Sequence, residues 1–417
     1  TPGYTGGLVG YHDKSNSYIK ASSHSTGLVQ GYAYVGGLAG FFEGALGESV
    51  VNGQVTYSTF VDSDVRGKGR SLGGLVGEHE YGSMTNAQVL GRVSGWYVSD
   101  AYDFNSGTYT GGLVGYSRAA MSYVQNAGPL VRGGHRTGGL AGQLDNSLSY
   151  STASALVESN SSYVGGLLGE GDAVSYSSFT GNLRAASSHV GGLVGVLGGT
   201  MDQSFVTGDV TGLENVDGTF RYSGTYTGGL VGYTGNTIQN SYFTGSLVKG
   251  GHQTGGIVGY QSGWVNSSYS TGDVEANSSY VGGVGGNVGY MNYSYATGNV
   301  TGTDYVGGLA GQVSWLTETY ATGDVKGTGS YIGGLAGNLA GGNILRVYAT
   351  GDVIGGTSSS RIGGLAGQAS GTIIDSYSTG AVTASNAYRV GGFIGESYGT
   401  VTNSFASGDV TARDSVG

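Results

Sequence analysis

The chain has no cysteine in its 417 residues, so nothing in it is held by disulfides. A large secreted repeat protein does without them, whereas a cytosolic protein usually carries some thiols, and composition therefore favours a place outside the cell. Charge is scarce as well. Asp, Glu, Lys and Arg make up 11% of the chain, against about 25% in ordinary domains, and the net charge is −10. A nucleic-acid partner needs a basic stripe, and this balance excludes one. No hydrophobic run approaches the roughly 20 residues of a membrane span, and no charged and apolar leader opens the sequence. Collagen is excluded because glycine does not recur at every third position. The few Lys and Glu argue against helices.

What is abundant is glycine, 88 residues, together with 32 tyrosines. The glycine is ordered. A Gly-Gly pair opens at Gly6, Gly36, Gly73, Gly111, Gly138, Gly165, Gly191, Gly228, Gly255, Gly282, Gly307, Gly333, Gly363 and Gly391, mostly 25 to 30 residues apart, with three steps of 37 or 38. This is an internal repeat running the length of the chain. The residue after the pair is Leu in eleven copies and Ile257, Val284 or Phe393 in the others. Such a position reads as an inward ladder. The run Tyr34 to Gly40, apolar at adjacent positions and short, suits a strand covered on both faces, with the glycines supplying positive φ and close backbone approach at corners. One copy cannot bury its own apolar face, but copies stacked at strand spacing can. The predicted fold is all-β: a parallel β-helix or β-solenoid, right-handed, of about 14 coils with about 27 residues each, forming one domain over residues 1–417.

The second half of the repeat is clearest late in the chain, as Asn-Ser-Ser-Tyr-Ser-Thr-Gly-Asp-Val at 266–274 and Tyr-Ala-Thr-Gly-Asp-Val at 320–325 and 348–353. The aromatics before Thr-Gly, from Phe205 through Tyr242, Tyr269, Tyr295, Tyr320, Tyr348 and Tyr377 to Phe405, predict an aromatic column beside a row of Thr. The following Asp or Asn is expected to fold onto a nearby backbone N–H. In the early coils the pattern fades, and Lys20, Leu90 and Gln125 stand near the Thr position. Gly-Leu-Val-Gly followed by Asn-Ser-Tyr-Ser/Ala-Thr-Gly-Asp-Val resembles the GLUG-motif repeats of bacterial and archaeal surface and secreted proteins, adhesins among them. The resemblance implies a β-helix-like solenoid at or outside the cell surface, and no catalytic residues.

Three repeats carry about ten extra residues, at roughly 56–70, 94–107 and 211–224, and per-repeat insertions map to one face. Trp96, Tyr97, Asp100, Tyr102, Asp103 and Phe104, with Asp62 and Asp64 from the preceding repeat, combine rings with carboxylates as a sugar-binding groove does. The same residues would equally build a satellite core for a long loop. A polysaccharide lyase or glycosidase needs a carboxylate pair about 5–10 Å apart, which these Asp residues supply no better than any four on adjacent loops. A second candidate is the row two residues before each Gly-Gly, which includes Tyr280, Tyr305 and Tyr331 and admits Arg, Gln and His. Its neighbour is always apolar or Thr, so the row is predicted to face outward, a Tyr ladder suited to binding or simply to cross-strand packing.

No metal or cofactor is expected. The Gly-Asp-Val carboxylates are interrupted by Asn182, Ser246, Asn299 and Ala381, the six histidines lack ligand spacing, and no phosphate loop or nucleophile elbow is present. The reading reached from sequence is an extracellular structural or adhesive solenoid, not an enzyme: a stalk, the binding body of an adhesin, or a surface-filament subunit. Its partners are further repeats of the same chain or other copies stacked head to tail, and surface polysaccharide. A carbohydrate-active enzyme on a β-helix is the alternative.

Overall fold

The computed structural model describes residues 3–20, 23–25, 29–31, 33–47, 50–52, 55–57, 70–95, 108–159, 161–186, 188–212, 225–356, 359–385 and 387–413. Its contacts divide the chain into two compact units, one essentially residues 1–200 with 204–208, the other 201–203 with 209–213 and 223–417. The described residues hold strands and no helix, and every strand pair is parallel, the coils of a β-solenoid repeating about every 27 residues.

One coil of the second unit shows the plan. Val306–Gly307 leads through a corner into Ala310–Thr317, then come Tyr320–Ala321 and Val325–Gly327. The next coil lies on it in register, with Val306 opposite Ile332, Ala310 opposite Ala336, Tyr320 opposite Tyr348 and Val325 opposite Val353. The first unit repeats this, from Tyr4 opposite Tyr34 to Val164 opposite Val190. The coil from Val306 to Gly327 therefore has four strands, and the next has five because its second strand is interrupted. The tyrosine–glycine run is not a single strand either. Tyr34–Gly36 and Ala39–Gly47 are separate strands on either side of a corner at Gly37–Leu38.

Leu309, Val306, Ala310, Val313, Leu316, Ala321 and Val325 all point inward and are at most 1% exposed, so each coil closes around a dry apolar strip. The Leu after Gly-Gly is the inward ladder that its repetition implied. Some buried polar side chains are fully paired, while others, such as Thr110 Oγ1 and Thr319 Oγ1, have no hydrogen-bond partner among the described residues. Asn126, 1% exposed, donates from Nδ2 to the Gly139 carbonyl (2.7 Å) and accepts from the Gly128 N–H at Oδ1 (2.9 Å), so its burial is offset at both ends.

The paired glycines serve close approach and not positive φ. Among the described residues, none of them lies in the left-handed region. A Cβ on Gly307 would stand 2.2 Å from the Ala310 carbonyl oxygen and 2.5 Å from Ala336 Cα, and one on Gly308 would stand 2.2 Å from the Gly334 oxygen. The left-handed corners fall instead to side-chain-bearing residues such as Tyr280 (φ 62°), Tyr305 (52°) and Tyr331 (63°), with a second set at Ser267, Tyr293, Glu318, Arg346 and Asp375. L-residues pay about 1–2 kcal/mol for that conformation, and only a frame that over-determines it keeps them there.

Two polar rails help to supply that frame. Ser268 Oγ donates to the Asn266 carbonyl (2.8 Å) and accepts the Ser241 N–H of the coil below (3.2 Å), and Ser151, Ser177 and Ser376 repeat the arrangement on their own coils. The second rail is the Gly-Asp-Val carboxylate. Its oxygen reaches the next coil and not its own turn: Asp273 Oδ1 accepts from Asn299 N (2.8 Å), Asn299 Oδ1 from Asp324 N (2.9 Å), Asp324 Oδ1 from Asp352 N (2.9 Å) and Asp352 Oδ1 from Ala381 N (2.8 Å). Asn299 serves as well as Asp because the bond uses only a side-chain oxygen acceptor, and the rail ends at Ala381, which has none.

Candidate functional site

Trp96, Tyr97, Asp100, Tyr102, Asp103 and Phe104, like Asp62 and Asp64, lie outside the described residues, as do the greater parts of all three long insertions. The other candidates, Tyr280, Tyr305 and Tyr331, are brought together in the second unit. Tyr280 and Tyr305 stack with ring centroids 4.5 Å apart and 5° between planes, and Tyr305 and Tyr331 at 4.3 Å and 6°. His252 meets Tyr280 edge-on at 5.2 Å, and the Arg361 guanidinium lies over the Tyr331 ring at 4.6 Å while pairing with Glu396. Burial, with a hydrogen bond to Tyr331, pushes the Tyr305 phenol up to about 12.

This geometry limits what the row can bind. The stacked rings use their faces on one another and are half-buried, so no planar ligand enters between them. The aromatic column ahead of Thr-Gly is closed in the same way: Tyr242, Tyr269, Tyr295, Tyr320, Tyr348, Tyr377 and Phe405 succeed one another at 4.8–5.3 Å with 1–8° between planes. Cohesion between coils is the first use of both columns. The Thr row beside the long column, including Thr297, Thr322 and Thr350, is exposed. Where the aromatic pattern fades, carboxamides take its place: Gln88 and Gln125 occupy the aromatic position itself, two residues ahead of the Thr position, and Gln88 Nε2 donates to Gln125 Oε1 at 3.0 Å.

In the first unit the corner row is charged and aromatic. Tyr163 sits between His135 (5.0 Å) and His189 (4.9 Å), with Arg136 at 5.2 Å from its ring and paired to Glu170. Burial lowers both histidines to about 4, with the Arg136 charge adding to the effect on His135. His79, 0% exposed with Nε2 2.8 Å from the Gly44 carbonyl, is also lowered by burial. At His135 and His189 an unfolded chain takes up protons below its ordinary value near 6.5, while the folded chain does not until about pH 4. Stability is therefore complete above pH 6.5 and falls as pH drops toward 4, by up to about 1.4 kcal/mol per pH unit for each ring. Melting curves of the wild type between pH 7 and 4 should show this decline, and a His135→Gln, His189→Gln double variant should flatten it. An unchanged slope in the variant would remove the histidines as its cause.

The aromatic group that sequence reasoning missed is Trp264, Tyr290 and Trp315. These residues face one another on consecutive coils of the second unit. Trp264 is 41% exposed, Tyr290 36% and Trp315 41%. Trp264 and Tyr290 stack at 4.8 Å and 22°, but Trp315 turns out of the stack, 47° from Tyr290 at 6.5 Å. A signal was present in the sequence: the two tryptophans outside the first long insertions lie two repeats apart, with a tyrosine between them.

Four segments of the second unit, residues 223–248, 328–354, 358–383 and 386–411, match the family model described as the GLUG motif. The chain carries GLUG repeats. Each matched segment runs from one Gly-Gly corner, preceded two residues earlier by Tyr226, Tyr331, Arg361 or Arg389, through the aromatic column to the valine strand after it, so the motif is one coil of the solenoid. No curated protein and no solved structure matches the chain.

Proposed function

We propose that this GLUG-repeat solenoid is an extracellular, non-catalytic structural and adhesive protein, a stalk or binding body or the subunit of a surface filament, whose coils also stack head to tail. The observation that carries the reading is where the repeated side chains go. The Ser rail, the Asp rail and both tyrosine columns run from coil to coil, so the conserved chemistry of the repeat within this chain is cohesion along the stack. The apolar rows are closed by the coil that follows: Ile373 and Val382 are 0% exposed beneath Val401 (43%) and Val410 (46%), so coil-on-coil contact is what covers them. A top-to-bottom contact between copies is heterologous and does not close, so it makes open filaments.

Electron microscopy at rising protein concentration tests the stacking. Wild type is expected to form filaments, and Val410→Lys to give single particles with unchanged melting. Single particles from wild type at every concentration would overturn it.

A further inference from the structure

The second face of the second unit departs from the rest of the chain. Between Val231 and Ile374, the strands that follow the Gly-Gly corner on six successive coils contain no Asp, Glu, Lys, Arg or His: 231–239, 258–266, 285–292, 310–317, 336–345 and 366–374. In the first unit the same strands carry charges on most coils, among them Glu78, Arg118, Asp145 and Glu170. What replaces charge is chemistry of one kind. The rows hold half-buried carboxamides, with Asn287, Gln312 and Asn338 on one side and Asn266 and Asn292 on the other, and the Trp264, Tyr290, Trp315 trio runs between them. The Oδ1 atoms of Asn266, Asn292 and Asn338 lie buried without a partner among the described residues. We propose that this uncharged face binds a neutral polysaccharide chain lying along the stack, with its sugar rings on the two indoles and its hydroxyls on the flanking carboxamides.

Three observations carry the assignment. First, the trio does nothing that the repeat requires. The same row reads Thr237 one coil before and Thr372 two coils after, where the solenoid continues without a ring. Cohesion therefore does not explain the aromatics. Secondly, the neighbouring coils are adapted to display them. On these three coils the strand runs unbroken, as Val258–Asn266, Gly285–Asn292 and Ala310–Thr317, whereas the flanking coils interrupt it. The coil after Trp315 yields to the indole at Gly342 (φ 74°), where a Cβ would stand 2.4 Å from Trp315 Nε1. Thirdly, the stacking pattern leaves two places for sugars. Trp264 heads the stack with the small Thr237 before it, and Trp315 tilts away from Tyr290. The two indoles are two strand steps apart, about 10 Å. That is the length of an extended disaccharide, so one chain places alternate rings on both.

The chemistry selects against other occupants. An acidic polysaccharide or a nucleic acid gains nothing from a face without cations, within a chain of net charge −10. A neutral sugar offers hydroxyls that both donate to and accept from an amide, and C–H faces for indole. The inference deepens the binding-body part of the function proposed above, and its test is independent of filament formation.

Affinity electrophoresis and calorimetry of the full chain against soluble β-glucan, mannan and xyloglucan, with alginate and polygalacturonate as acidic counterparts, test it. Retardation by at least one neutral polymer is expected, with an affinity that changes little between low and high salt because no ion pair is involved. The variant Trp264→Thr, Tyr290→Thr, Trp315→Thr restores a residue that the row already holds at Thr237 and Thr372, so it is expected to melt like the wild type and to lose binding by about tenfold or more. Binding confined to the acidic polymers, equal binding by the triple variant, or no binding to any polymer overturns the proposal. So does a loss of self-association in the triple variant with no change in glycan binding, which would assign the face to a second copy.

Discussion

Leu309→Asp is expected to unfold the middle of the second unit. Leu309 is 0% exposed and lies in a column with Val284 below and Leu335 above, its N–H bonded to the Leu335 carbonyl at 2.8 Å and its own carbonyl accepting the Val284 N–H at 2.8 Å. A carboxylate there has no cation and no polar partner. Burying it unpaired costs several kcal/mol, and lifting its pKa to escape the charge costs free energy as well. Because a coil is stable only through its neighbours, the loss should spread, and hydrogen exchange should speed up at 281–284 and 332–335 as well as at 309. Leu309→Val, which matches Val284 in the same column, is the control and should cost less than about 1.5 kcal/mol. Wild-type melting of the Asp variant would mean that the residue does not point inward.

A second large effect is expected from adding one methyl group. In Gly307→Ala the new Cβ would stand 2.2 Å from the Ala310 carbonyl oxygen of its own coil and 2.5 Å from Ala336 Cα of the next, both of them backbone. Neither atom can swing aside as a side-chain tip does. Relief requires the coils to separate, which stretches the register between Val306 and Ile332, so the expected loss is about 3 kcal/mol or more. Gly235→Ala is the matched control, since its Cβ would meet only the Ser262 hydroxyl at 3.5 Å, and calorimetry should find it near neutral. Equal melting of the two alanine variants would show that the paired glycines are dispensable.

Features that recur from copy to copy were the ones legible in the sequence. The Leu after Gly-Gly, the aromatic before Thr-Gly and the parallel stacking follow from position and period, and the columns from Tyr242 to Phe405 and from Tyr280 to Tyr331 stand where their spacing placed them. Local detail was harder to read. Gly-Gly suggested positive φ, yet the left-handed corners belong to side-chain-bearing residues, Tyr most often, because a glycine's missing Cβ is equally explained by a neighbouring coil passing too close. The Asp rail was assigned to its own turn, but its partner is 25 to 29 residues away, beyond the reach of turn chemistry. Trp264, Tyr290 and Trp315 were passed over because reading by consensus averages out the coils that depart from it, and departures are where a repeat protein has freedom to bind.

The absence of cysteine permits a direct measurement of register. Thr301 and Lys326 are exposed Cα partners on adjacent coils, and Lys326 pairs in turn with Ile354. Strand spacing puts the first pair about 4.8 Å apart and Thr301 about 9.6 Å from Ile354. A disulfide spans Cα separations of about 4.4–6.8 Å. Under mild oxidation, Thr301→Cys with Lys326→Cys should therefore close a bond that mass spectrometry finds in nearly every molecule, while Thr301→Cys with Ile354→Cys should remain reduced. Closure of the second pair, or failure of the first, would contradict the in-register parallel stack on which the rest of the account depends.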